Sequence, residues 1–172
     1  IRAVEYLKLK KYDLAETAFK DGMKKEDGKS FTVLTAFILF LVKMGRGSDI
    51  ILYCDMLLAH DNINDLALTM KSSQLLQTGK YRDGIKCVNN LLVINENDVY
   101  ALKMKGMALN ILCDYSKALE CFEKILVVDK NDVDALNGKG VALDNLGDYA
   151  KSLECFEKML VVDENNVTGW AN

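Results

Sequence analysis

The chain has 172 residues, 50% of them hydrophobic, and its 22 basic and 25 acidic side chains leave a net charge of −3. That apolar content suits a packed core and is too high for disorder; the charge balance lacks the basic excess of a general nucleic-acid binder. Proline is absent, where an average chain of this length carries roughly eight.

Taken in order, Ile1–Lys29 supplies most of a two-helix unit and, through Ser30, holds eight basic and six acidic residues. It starts at Ile1 without a secretory or lipidation signal, which is the pattern expected of a cut from a longer cytoplasmic array. The uncharged run FTVLTAFILFLV, Phe31 to Val42, is apolar around its whole circumference. Burial on all sides is expected of such a helix, and a self-association surface is the alternative. Its ~12 residues reach about 18 Å, short of a bilayer. Gly45-Arg46-Gly47-Ser48 is too short for a phosphate loop and lacks its lysine. His60 beside Asp61 has no Ser or Cys partner motif and reads as an exposed loop residue.

The units 31–64, 65–98, 99–132 and 133–166 then follow, with Val167–Asn172 opening a further one. The last two whole units agree at 22 of 34 positions, and SKALECFEKILVVDKND and AKSLECFEKMLVVDENN are nearly the same text. Tyr81, Cys87 and Asn97 sit 34 residues before Tyr115, Cys121 and Asn131. Self-similarity at a fixed period is the mark of a solenoid. Within a unit, Leu102, Gly106 and Leu109 lie on one helical face, Cys113-Asp114 interrupts it, and Ala118, Phe122, Ile125 and Leu126 resume the spacing. Asp132 and Asn166 are placed to cap the next helices, and Gly79 and Gly147 occupy the turns inside their units. Gly106 and Gly140 permit close helix approach; Gly84 does so at a place later held by Ala118 and Ser152. Tyr12, Tyr81, Tyr115 and Tyr149 recur at the start of the second helix, where a ring packs between units and its hydroxyl stays wet. No period-two alternation is sustained, so the chain reads as all-α: a continuous stack of antiparallel helix pairs, each completing its neighbour's core.

Five cysteines are present, and Cys87, Cys121 and Cys155 mark one repeat position. Without a CxxC pair they point to buried structural thiols in a reducing compartment rather than to a metal or redox site. Glu120, Glu123, Glu154 and Glu157 mix with Lys117, Lys124, Lys151 and Lys158 as helix-surface pairs. No catalytic residue and no cofactor site is expected.

These features resemble the tetratricopeptide repeat, whose pattern is W-x2-L-G-x2-Y, A-x3-F and P over 34 residues. Leu136, Gly140, Leu143, Ser152 and Phe156 fall at its places, as do Leu102, Gly106, Leu109, Ala118 and Phe122; the first unit keeps Ala3, Tyr6, Ala15 and Phe19, and Trp170 restores the tryptophan. Departures are visible. Lysine (Lys71, Lys105, Lys139) replaces the leucine before the glycine, its stem packed and its head in water. Asn62, Glu96, Lys130 and Glu164 replace the closing proline, which softens the expected helix boundaries. Gly47 stands where other units have tyrosine, so that helix is expected to start differently, and one extra residue near Ser30 shifts the register.

The resemblance implies a right-handed superhelical solenoid, a single array over 1–172, that binds a partner peptide or helix on the concave side lined by first helices. Mapped here, that side carries Leu66, Met70, Ser73, Tyr100, Lys103, Met107, Asn110, Asn137, Val141 and Asp144, preceded by Thr32, Thr35, Leu39 and Val42. Only Lys103 and Asn137 match the lysine and asparagine clamp of chaperone-binding members, so capture of a chaperone tail is not expected. Methionine in the groove suits an apolar or amphipathic ligand, though a methionine rotated by one position packs between helices instead. The partner is therefore expected to be a protein or peptide, not nucleic acid and not membrane. Two alternatives stand beside this scaffold: a regulatory or substrate-recruiting segment of a larger enzyme, and a structural module that self-associates through open ends or the Phe31–Val42 helix.

Overall fold

The computed structural model describes residues 2–25 and 31–169. Among them are ten helices and no strand: α1 (Arg2–Lys8), α2 (Tyr12–Lys25), α3 (Phe31–Lys43), α4 (Gly47–His60), α5 (Asp65–Gln77), α6 (Tyr81–Ile94), α7 (Val99–Ile111), α8 (Tyr115–Val128), α9 (Val133–Asn145) and α10 (Tyr149–Gly169). The chain divides into two compact units, Ile1–Gln74 and Leu75–Asn172. From α3 onward the helices begin on the 34-residue frame. Despite Gly47, α4 begins in register and has the same 14 residues as α6 and α8.

The turn inside each helix pair is fixed by one left-handed residue. Lys10, Gly45, Gly79, Cys113 and Gly147 all have φ between 55° and 84°. Each is followed by a residue whose N–H reaches back to a carbonyl one turn inside the helix, such as Asp114 to Leu109 (2.9 Å) and Asp148 to Leu143 (3.0 Å). This glycine-type C-terminal cap satisfies carbonyls the helix end leaves open.

The link between pairs works without proline. Asp61, Asn95 and Asp129 close the second helices by donating their N–H groups to Leu57, Leu91 and Ile125 at 2.9–3.0 Å. Their side chains then accept from the N–H groups of Ile63, Asn97 and Asn131. Asn64, Asp98 and Asp132 in turn accept from Ala67, Ala101 and Ala135 at 2.8–2.9 Å as caps of the following helices. Two short side chains thus bracket the link, one as an Asx turn and one as an N-cap. The expected softening does not occur around Asn62, Glu96 and Lys130, where these links form, whereas at Glu164 the boundary is lost and the helix continues. The expected cap at Asn166 does not form either, because α10 runs through that position to Gly169. Trp170 and the extra residue near Ser30 lie outside the described residues.

The first unit is built around aromatic rings. Phe19, Phe37 and Phe40 lie 5.5–5.8 Å apart by ring centroid, and Tyr53 meets Phe37 edge-on at 4.7 Å. α3 supplies Leu34, Phe37, Ile38, Phe40 and Leu41 to this core. Burial on all sides, expected of that helix, is not what the chain does: Leu39 and Val42 stay 50% and 43% exposed. Packing against α2 and α4 leaves one face of α3 uncovered.

The second unit is built on glycine and phenylalanine. A Cβ at Gly106 would come within 2.7 Å of the Phe122 ring, one at Gly138 within 2.2 Å of the same ring, and one at Gly140 within 2.7 Å of Phe156. Ser152, buried at the alanine place of the pattern, donates its hydroxyl to the Gly140 carbonyl at 2.9 Å. Cys87, Cys121 and Cys155 are buried as expected, and burial pushes the Cys121 and Cys155 thiols up in pKa. Lys71 and Lys139 are half-buried along their stems and pair with Asp55 and Glu123.

Cys113 is the non-glycine residue at the left-handed turn of the second unit, at φ 61°. A side chain costs ~1–2 kcal/mol in that conformation. Cys113→Gly is therefore expected to add about 1 kcal/mol of stability after glycine's extra unfolded-state entropy is subtracted, read as a melting midpoint roughly 2–4 °C higher.

Candidate functional site

Helices α7 and α9 of the second unit turn their small residues inward. Ala101, Ala108, Ala135 and Ala142 are buried with Leu102, Leu109, Leu136 and Leu143. What this leaves outward is the complementary stripe at helical spacing. On α7 it is Tyr100 (55% exposed), Lys103, Met107 (57%), Asn110 and Ile111; on α9 it is Asp134, Asn137, Val141 and Asp144.

Two polar links hold these stripes edge to edge. Asn110 donates its side-chain amide to the Gly138 carbonyl at 2.9 Å, while its own Oδ1 is buried and has no hydrogen-bond partner. Lys103 donates to Asp132 at 2.8 Å and to Asp134 at 2.9 Å. Burial works to lower the Lys103 pKa, but the bonds to Asp132 and Asp134 outweigh it and the net shift is upward. Lys103 is thus a spacer between two carboxylates rather than an open cation. The groove surface is apolar at Tyr100, Met107, Ile111 and Val141, and its α9 edge ends on the exposed carboxylate of Asp144.

Of the ten residues picked out in the sequence, seven come together here: Tyr100, Lys103, Met107, Asn110, Asn137, Val141 and Asp144. Leu66, Met70 and Ser73 lie in the first unit and are half-buried. Met70 packs against that unit's core, so it is turned inward, as is Met104 of α7, which is buried. Ile111 was not among the ten, although its place four residues after Met107 is the signal that finds it. In the first unit, Thr32, Leu39 and Val42 are exposed and Thr35 keeps a buried, unpartnered hydroxyl oxygen. A separate groove of about 470 Å³ lies among α1, α2 and α3, lined by Tyr6, Leu14, Ala18 and Val33 among others.

Among the described residues no group of three His, Cys, Asp or Glu is placed to hold a metal ion, and no helix is long and apolar enough to cross a membrane. His60 is exposed at the end of α4.

The architecture is that of a helical-repeat solenoid. Residues 133–166 match the tetratricopeptide repeat family, so the repeat recognised in the sequence is present in the chain. No curated protein matches the sequence. Among solved structures, a crystal structure of MamA is 18% identical and superposes with a TM-score of 0.87, covering 98% of each chain. A MamA from Desulfovibrio magneticus is 16% identical with a TM-score of 0.83, covering 95% of this chain and 92% of that one. A tetratricopeptide repeat protein from Parabacteroides merdae is 22% identical with a TM-score of 0.82, covering 93% of this chain and 63% of that one. These likenesses show the fold, a tetratricopeptide-type all-α solenoid.

The raised pKa of Lys103 has a stability consequence with a definite sign. Its pairing contributes below the ordinary lysine value of 10.5 and is lost as pH rises through the higher folded-state value. Lys103→Met is expected to cost up to about 1 kcal/mol at pH 8, since the pair is partly exposed. Melting curves at rising alkaline pH should show that gap closing.

Proposed function

We propose that the chain is a non-catalytic scaffold whose second unit binds a partner peptide or helix along the stripe of α7 and α9. The observation that carries this reading is the half-exposed set of Tyr100, Met107 and Ile111 beside Val141. These are large apolar side chains on rigid helices, adjacent across a seam already closed by Asn110 and Lys103. Such a surface suits the apolar face of an amphipathic helix, which is read as anchors at i, i+3, i+4 and i+7. Met107 adds an adaptable thioether at its centre.

The engagement of Lys103 by two carboxylates supports an apolar ligand over a C-terminal carboxylate, because a lysine already neutralised adds little attraction for an anion. Asp144 favours a partner that brings a basic residue to the α9 edge. The ten-residue surface is thereby narrowed: Met70, on the core side of the first unit, has the weaker place in it.

The test is an array of short immobilised amphipathic peptides with leucine at helical spacing. The chain is expected to bind a subset of them, and Met107→Glu with Val141→Glu to weaken that binding about tenfold or more, that is by about 1.4 kcal/mol. Because both positions are exposed, the melting midpoint should stay where it is. Binding that survives both substitutions would overturn the reading.

A further inference from the structure

The second helices of the second unit end on an apolar edge. Val93 and Ile94 close α6 and are 83% and 47% exposed; Val127 and Val128 close α8 and are 80% and 64% exposed. Val161 holds the same place on α10 at 57%. Neither of the first two pairs lies at an end of the array, because α7 is packed on α6 and α9 on α8. A further repeat on either side would lengthen this row and leave it uncovered.

The helices do not require these side chains. α4 ends on Ala59 and His60 at the same two places, and valine and isoleucine are poorer helix formers than alanine. Large apolar groups held in register in water mark an interaction surface. What occupies it is indicated by charge. Two residues beyond Ile94 and Val128 stand Glu96 and Lys130, the same place of two successive repeats with opposite sign. Both are exposed, and neither is in an ion pair with another described residue. Reversed end for end, an edge of this kind is its own complement.

We propose that this edge pairs with a second copy of the chain about a two-fold axis that crosses the row between Val93 and Val127. Val93 and Ile94 of one protomer pack on the partner's Val127 and Val128, and Glu96 faces the partner's Lys130, each contact being made twice. Sliding the axis onto Val127 would set Lys130 against itself, so like-charge repulsion selects the register. The surface is small and the pairing weak and reversible. It shares no residue with the α7–α9 stripe.

The experiment is sedimentation of the whole chain over a concentration series reaching about 1 mM. A reversible dimer is expected, weakened by rising salt. Val93→Glu with Val127→Glu should weaken it about tenfold or more, while the exposure of both sites leaves melting and helical circular dichroism unchanged. Glu96→Lys and Lys130→Glu should each weaken it about threefold or more, because each sets like charges face to face. The two together exchange the charges and should restore the dimer. Three results would overturn the proposal: a strict monomer throughout the series, a dimer indifferent to the valine substitutions, or a dimer that the combined charge exchange fails to restore.

Discussion

The second unit depends on one ring. Phe122 is fully buried and touches the space where both Gly106 and Gly138 would carry a side chain. Because neither does, α7 and α9 both close on the same phenyl group, and their separation follows from its thickness. The glycines cost helical propensity, about 1 kcal/mol each relative to alanine. Close packing of an aromatic side chain offsets this. Phe156 repeats the arrangement against Gly140. The candidate binding stripe follows from this wedge: only with α7 and α9 this close does the Asn110 amide reach the Gly138 carbonyl and Lys103 reach Asp132 and Asp134.

Much of this was legible in the residues. The period places the helix starts, since each second helix from α6 on begins at its tyrosine, and Gly106 and Gly140 announce close approach. Two features needed the structure. Cys113 and Lys10 adopt the left-handed turn conformation that Gly45, Gly79 and Gly147 adopt, and composition gives no sign of that at a cysteine or a lysine. The missing proline pointed to softer boundaries, which is the outcome at Glu164, where α10 runs on, but not at the three earlier links. Its structural task is taken over by the pairs Asp61/Asn64, Asn95/Asp98 and Asp129/Asp132, whose side chains bond the local backbone. Short polar side chains at that spacing are a signal as readable as proline once the Asx turn is considered together with the N-cap.

The candidate site was legible in position more than in character. Helical spacing found seven of its residues, because a stripe follows from period and from which face is small and apolar. It did not find that Lys103 is held by two carboxylates, which depends on a contact across units of sequence, nor that Met70 turns toward a core while Met107 turns to solvent. The 34-residue frame aligns Met70 with Met104, which is buried, and not with Met107 three positions further on, so the repeat register itself, more than the helical period, separates the two faces. All-round hydrophobicity likewise overstated the burial of α3, since two flanking helices do not enclose a third.

The most direct measurement of the wedge is a double-mutant cycle between Gly138 and Phe122 by chemical denaturation. Gly138→Ala places a methyl group against the ring and is expected to lose about 1–3 kcal/mol from overpacking, despite alanine's better propensity. In the background of Phe122→Leu, which removes the ring edge, the same change should cost much less or become favourable, giving a coupling of about 1 kcal/mol or more. If Gly138→Ala were neutral or stabilising in the native background, and additive with Phe122→Leu, the spacing of α7 and α9 would not be set by that ring.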